Sequence, residues 1–421
     1  MRKLNVYYET IKVGELRRNE DLVYSFAYEK SWLNDAQRFP LSLAMPLESK
    51  EFGNKVTLSF FENLLPEGEV REAIGRAHNV EGTYEFLKEF GKDCAGAVIV
   101  SENEISPFKE NKNEKKIIDI EKVYAAIDLN HSVADVIAEM DPGYLSLTGA
   151  QDKFPAILEN EKFYLPKNST PTTHIVKVPI HRKGVKESVF NEYYCMELAR
   201  KIGFNVPNCQ VLGEGSHPLF VVNRYDRFLD KKGNIHRIHQ QDFCQAQGIT
   251  SEEKYEAKGG PSIKDNYELI KNNVYFKKRL VSLHTFLDWI CFNLLIGNND
   301  PHSKNISFLM VDGKIELAPF YDLLSTAVYP SLKRQFSFRI GDQDEGSRIG
   351  KNQFEMLDAE LDVKIGAMAE RMQIVHDKVM AVKDAVAKRV SDEHKGVKVF
   401  KKISEEIQDR SKSLKFQKAI L

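Results

Sequence analysis

Three oxygen-bearing side chains, Asp300, Asn305 and Asp322, carry the chemistry that this chain could perform. Asp300 and Asn305 stand five apart in the loop 296–306 (IGNNDPHSKNI), and Asp322 falls in 319–323 (PFYDL), a short apolar hairpin later. Phosphoryl transfer asks little covalent chemistry of a protein. It needs one carboxylate to orient a hydroxyl and accept its proton, and oxygen ligands that hold Mg²⁺ against phosphates. Asp300 suits the first task; Asn305 and Asp322 suit the second. Lys304 would supply a cation near the transferred group, and His302 is a neighbour in the same loop.

Taken alone, D-x-x-x-x-N matches many chains by chance, and Asn-Asn-Asp-Pro is good turn chemistry by itself. Context gives the loop its weight. An apolar helical run with Leu283, Leu287, Ile290 and Leu294 on one face stops at Gly297, and apolar segments 307–310 and 314–317 separate Asn305 from Asp322. Polar residues bracketed in this way need a reason.

Other segments would have to position a nucleotide. Lys177 sits in 173–179 (THIVKVP) between β-branched residues, as a strand lysine that meets the α- and β-phosphates does. The helix predicted over 189–202 carries one apolar row, Phe190, Tyr194, Leu198 and Ile202, with Gly203 at its end. Glu192 lies on a second row with Met196 and Ala199, so it should be buried beside a cation. Lys177 is the candidate, with Glu187 and Glu197 as alternative carboxylates. Segment 146–153 (SLTGAQDK) lies between two expected strands, 144–147 and 154–158. Backbone N–H groups at Gly149 and Ala150 could approach phosphate there, flanked by Gln151 and Lys153; a plain hairpin turn fits the pattern as well. The junction 236–243, ending in Gln240, Gln241, Asp242 and Phe243, joins a strand-rich half to a helical half. A nucleotide base would bind at such a junction through backbone groups.

Composition bounds these readings. A chain of 421 residues exceeds one ordinary core, so two or three packed units are expected. With 42% hydrophobic and 29% charged residues it is globular rather than disordered. Lys+Arg 60 against Asp+Glu 61 leaves no strong overall footprint for nucleic acid. Five scattered cysteines without C-x-x-C argue against a disulfide framework or a zinc site and for a reducing compartment. The N-terminus alternates like a strand and lacks a signal-peptide pattern, and no run reaches the ~18 apolar residues of a membrane span. Cytoplasmic location, with no membrane partner, is the expectation. Along the chain, residues 1–105 read as a small β-rich subdomain, 101–116 as an exposed connection, and the last helices as 352–390 and 399–416.

Taken in order, segments 146–153, 172–179 (TTHIVKVP), 191–195 (NEYYC), 240–245 (QQDFCQ), 299–305 (NDPHSKN) and 319–322 (PFYD) resemble the HipA family, kinase toxins of bacterial toxin–antitoxin systems. The resemblance spans most of the chain. It implies an α+β, two-lobed protein-kinase-like fold: a β-rich N-terminal subdomain (1–105), a kinase N-lobe with phosphate loop and hinge (106–245), and an all-helical C-terminal lobe with the catalytic loop (246–421). It also implies ATP- and Mg²⁺-dependent phosphorylation of a protein on Ser or Thr, within the translation machinery, aminoacyl-tRNA synthetases among the targets. A HipB-like helix-turn-helix antitoxin would be the partner, and would supply most contacts to operator DNA. Ser146 matches the loop serine that becomes autophosphorylated in the family; the added charge would oppose nucleotide phosphates. Asp152 stands where the family often has Glu. Two other readings stay open: a non-catalytic module that binds antitoxin and operator, and an ATP-using transferase acting on a small molecule.

Overall fold

In the computed structural model the described residues are 1–105, 114–144, 149, 151–167, 170–213, 215 and 217–413. Ser146, Ala150, the expected strand beyond residue 144, most of the 101–116 connection and the last expected helical residues, 414–416, lie outside them. The chain clusters into two compact units, one of Met1–Pro179, Leu212–Ser251 and Ser307–Lys314, the other of Ile180–Val211, Glu252–Ile306 and Ile315–Leu421. Residues on both sides of position 105 thus fall in the first unit.

The two larger sheets of the first unit are antiparallel. In one, Tyr24–Tyr28, Ile11–Arg18, Arg2–Tyr8 and Val98–Ser101 lie in that order. Leu4, Val6, Leu16 and Phe26 are fully buried, as alternation along a half-covered strand requires. In the other, Lys115–Ile117, Lys162–Pro166, Lys153–Glu159, His174–Lys177 and Leu219–Asn223 are successive neighbours. Phe154, Val176 and Leu219 of this sheet share one hydrophobic cluster with Leu4 and Phe26 of the first. A buried charge cluster ties the turn Gly91–Asp93 to the segment after Leu219–Asn223 and to the ribbon Arg227–Leu229/Ile235–Arg237. Asp93 accepts from Arg224 at 3.0 Å and Arg227 at 2.9 Å, with Arg237 at 3.4 Å, and bonds the Thr172 hydroxyl. Asp226 takes the other side of Arg224 at 2.9 Å.

The second unit is built mainly of helices: Ser188–Lys201, Ile263–Asn273, Phe276–Ile296, Lys351–Glu360, Ala367–Glu393 and Val399–Ser413. It is not all-helical. Gln335–Ile340 and Gln343–Glu345 form an antiparallel ribbon, which corrects the sequence expectation. Its cause is the alternation of Phe336, Phe338 and Ile340, all buried, with Phe338 6.4 Å from the Trp289 ring centre. Phe276–Ile296 is long and apolar enough to cross a membrane by length and mean hydropathy (1.3), but 72% of that window is buried in the protein. It is a core helix, and Asp288 within it is paired with Arg371.

Candidate active site

The loop that bears Asp300 begins where the Phe276–Ile296 helix stops. Gly297 takes φ 72°, and its N–H together with that of Asn298 caps the last turn, Asn298 donating to Asn293 O at 2.9 Å. A Cβ here would sit 2.8 Å from the Ala327 Cβ and 2.9 Å from the Arg410 Nε, so both backbone and space demand glycine. Beyond the cap, asparagine amides replace regular structure. Asn293 donates to Trp289 O at 2.8 Å, and Asn298 Nδ2 donates to Asn293 Oδ1 at 2.7 Å. Asn298 Oδ1 in turn accepts from Asp300 N–H at 3.1 Å.

Asp300 itself is exposed, whereas His302, Ser303, Lys304 and Asn305 are buried. The Asp300 carbonyl oxygen accepts from the His302 N–H at 3.1 Å and from Asn305 Nδ2 at 3.3 Å. That bond engages Nδ2, and Oδ1 is the Asn305 atom whose chemistry suits a hard cation. Ser303 Oγ accepts from Asn266 Nδ2 at 2.9 Å and donates to Asn266 Oδ1 at 3.3 Å. His302 is not the exposed loop histidine that residue type alone suggests; its ring lies edge-on to Tyr255, centroids 5.3 Å apart.

Asp322 adopts φ 59°, a left-handed conformation that costs energy in a residue with a side chain. The surrounding loop is held on several sides. Tyr321 hydroxyl donates to Lys304 O at 2.7 Å, Phe320 N–H to Asn205 O at 2.9 Å, and Ala327 N–H to Gly297 O at 2.9 Å. Thr326 Oγ1 donates to Gly297 O at 3.2 Å and accepts from Asn299 N–H at 2.8 Å. The second unit therefore fastens Asp322's loop to the loop of Asp300, Lys304 and Asn305. Among the described residues no group of three or more His, Cys, Asp or Glu is placed to hold a metal. The hard-oxygen donors of Asp322 and Asn305 fit Mg²⁺, which takes one or two protein ligands and completes its shell with phosphate and water.

Glu192 is buried in the Ser188–Lys201 helix of the same unit. The two alternative carboxylates serve other groups. Glu187 accepts the N–H groups of Lys398 and Val399 at the start of the last helix, and Glu197 pairs with Arg200 at 3.2 Å and Arg389 at 2.7 Å.

The phosphate-side candidates are in the first unit. Lys177 is buried, directly opposite Lys153 on one neighbouring strand and Phe220 on the other, its Nζ 5.9 Å from the Phe220 ring centre. Gly149 has φ 104°, its carbonyl accepts from Glu67 N–H at 3.1 Å, and a Cβ would lie 2.9 Å from Lys153 Nζ. Gln151 donates to Val178 O at 2.9 Å, which makes its side chain a brace for this turn. Asp152 accepts from Val133 N–H at 2.8 Å and Ser132 Oγ at 3.1 Å, a capping role that no local pattern announces. At the junction, Gln240–Asp242 pairs with Ser307–Leu309. Gln241 Oε1 accepts from Leu43 N–H at 2.9 Å, the Gln240 side chain bonds Tyr225, and Phe243 is buried against Phe308 with centroids 4.5 Å apart. These three side chains serve the fold.

The HipA N-terminal domain family matches residues 4–101, and the HipA-like C-terminal domain family matches 145–390. The protein Y4mE of Sinorhizobium fredii is 36% identical over 347 residues, 81% of each chain. The serine/threonine-protein kinase toxin HipA of Shewanella oneidensis is 29% identical over 359 residues, 82% of this chain and 80% of that one. A chain of the solved Shewanella oneidensis complex of HipA, HipB and operator DNA has the same fold, with TM-score 0.79 and 24% identity over 98% of this chain and 95% of that one. Family matches at both ends, a relative above 30% identity along four-fifths of the sequence, and a shared fold agree, and this chain belongs to the HipA family of serine/threonine-kinase toxins.

Proposed function

We propose that this protein transfers the γ-phosphoryl group of ATP to a Ser or Thr hydroxyl of a protein in the translation machinery, an aminoacyl-tRNA synthetase being the model target, and so arrests growth. The observation that carries this reading is the fastening of Asp322's loop to the Asp300–Asn305 loop through Tyr321 and Lys304. Exposed Asp300 would orient the substrate hydroxyl and take its proton. Asn305 and Asp322 would hold Mg²⁺, which when bound neutralises phosphate charge. Lys304 would stand near the transferred group. His302 would pack beside the nucleotide.

Lys177 would meet the α- and β-phosphates, braced by Glu192, since Glu187 and Glu197 already have other partners. Gly149, Ala150, Gln151 and Lys153 would form the phosphate-side turn, and the backbone at Gln240, Gln241 and Phe243 would read the base. Ser146, next to that turn, would be autophosphorylated. By the likeness to the Shewanella assembly, a HipB-like antitoxin is the proposed partner, with operator DNA reached mainly through it; the balance of Lys+Arg 60 against Asp+Glu 61 supports this division. The proposed location is the cytoplasm.

Incubation with [γ-³²P]ATP and candidate synthetases tests the reading. Wild-type protein should label one of them and itself at Ser146, and Asp300→Gln should label neither. Equal incorporation by both proteins would refute it.

A further inference from the structure

The buried residue just before Glu192 is an asparagine. Asn191 is fully buried on the Ser188–Lys201 helix. Asparagine is a weak helix former, and its buried amide must be satisfied. Apart from a weak, 3.6 Å hydrogen bond accepted from Cys195 Sγ one turn on, the Asn191 side chain is turned to another segment. Asn191 Nδ2 donates to Ser325 O at 2.8 Å, and Asn191 Oδ1 accepts from Ser325 N–H at 2.7 Å. The amide thus pairs both backbone groups of one residue, as a neighbouring strand would. Ser325 is three residues beyond Asp322. Its own hydroxyl, also buried, has no hydrogen-bond partner among the described residues, so this position is held by its backbone and not by its side chain.

We propose that Asn191 is a positioning residue that sets the loop of Asp322 from the helix of Glu192, so that the metal-holding carboxylate and the lysine-bracing carboxylate are placed together. The left-handed φ of Asp322 is kept only where the surroundings over-determine it. Tyr321, Phe320 and Ala327 fix the loop from other directions, and Asn191 fixes it from the helix. Adjacent residues on one helix move as a body. A displacement that carries Glu192 away therefore pulls on Ser325 as well. This inference rests on the roles given above to Asp322 and Glu192.

The readout is the gain in affinity for a non-hydrolysable ATP analogue when Mg²⁺ is added, measured by calorimetry. Asn191→Ala should reduce that gain by about tenfold, the equivalent of one or two lost buried hydrogen bonds, and leave metal-free nucleotide affinity within about twofold. If Asn191→Ala does not fold, Asn191→Asp serves, because it keeps the acceptor for Ser325 N–H and loses the donor. Two controls separate positioning from general loosening. Tyr194→Phe removes a buried 3.1 Å bond from the same helix to Lys383 O and should melt earlier with the Mg²⁺ gain unchanged. Ser325→Ala keeps the backbone pairing and should match wild type. An unchanged gain in Asn191→Ala, or an equal loss in Tyr194→Phe, overturns the proposal. Should Asp322→Asn also keep the full gain, the assignment of Asp322 itself falls, and the inference with it.

Discussion

The Tyr321 hydroxyl donates to the Lys304 carbonyl oxygen at 2.7 Å, so the residues that precede Asp322 and Asn305 are hydrogen-bonded to each other. This phenol is the link that runs directly between the neighbours of two proposed metal ligands far apart in sequence. Tyr321→Phe deletes that bond and keeps the ring. Stability should fall by about 1 kcal/mol in urea titration, while the rate of label transfer falls by roughly tenfold. A rate loss no larger than the added unfolded fraction accounts for would assign Tyr321 to packing alone.

Gly149→Ala tests the phosphate-side turn. At φ 104° any side chain is strained, at a cost on the order of 1–3 kcal/mol. Contact with the Lys153 ammonium is less serious, since that flexible end can move. The expected outcome is a several-fold rise in KM for ATP with a smaller change in kcat. Unchanged kinetics would mean that the turn plays no part in nucleotide binding.

His239 gives a pH signature. It is fully buried, stacked on Phe39 with centroids 4.4 Å apart, and bonded to Leu41 O at 2.9 Å. Burial pushes its pKa down to about 4. In the unfolded chain it returns to about 6.5, so the unfolded state takes up the proton first as pH falls. Stability present at pH 7 should therefore decline between about pH 6.5 and 4. Urea midpoints at pH 7 and pH 5 should differ for the wild type, and differ less for His239→Gln. Parallel shifts in both proteins would assign the decline to other groups.

Asp93 is the buried carboxylate on which three arginines of the first unit converge. Burial alone would raise its carboxyl pKa; the guanidiniums of Arg224, Arg227 and Arg237, with the Thr172 hydroxyl, hold it well below the usual carboxylate range. Asp93→Asn leaves buried guanidiniums under-compensated and should cost about 3–5 kcal/mol, read by chemical denaturation at pH 7. A loss below about 1 kcal/mol would show that water or rearrangement replaces the carboxylate.

Short-range pattern made part of this structure legible. The Leu283–Leu294 row and the stop at Gly297 announce the core helix because burial and capping act within a few residues. The two rows on Ser188–Lys201 correctly place Glu192 inside. What escaped depends on distant pairing. Asp93 meets arginines more than 130 positions away, and Asn191 meets Ser325 134 positions away. No period links such residues. The Gln335–Glu345 ribbon is short, and its alternating phenylalanines sit in a stretch whose helical surroundings mask a strand signal. Asp152 likewise reads as part of a phosphate turn, while its carboxylate caps the helix Val133–Ala138.

The most direct measurement is electron paramagnetic resonance of Mn²⁺ titrated into the protein with a non-hydrolysable ATP analogue, for the wild type, Asn305→Ala and Asp322→Asn. The expected result is tight, nucleotide-dependent Mn²⁺ binding by the wild type and its loss, by tenfold or more in affinity, in each variant. Full Mn²⁺ binding by both variants, with folding intact, would contradict the assignment of these residues as the metal-holding pair.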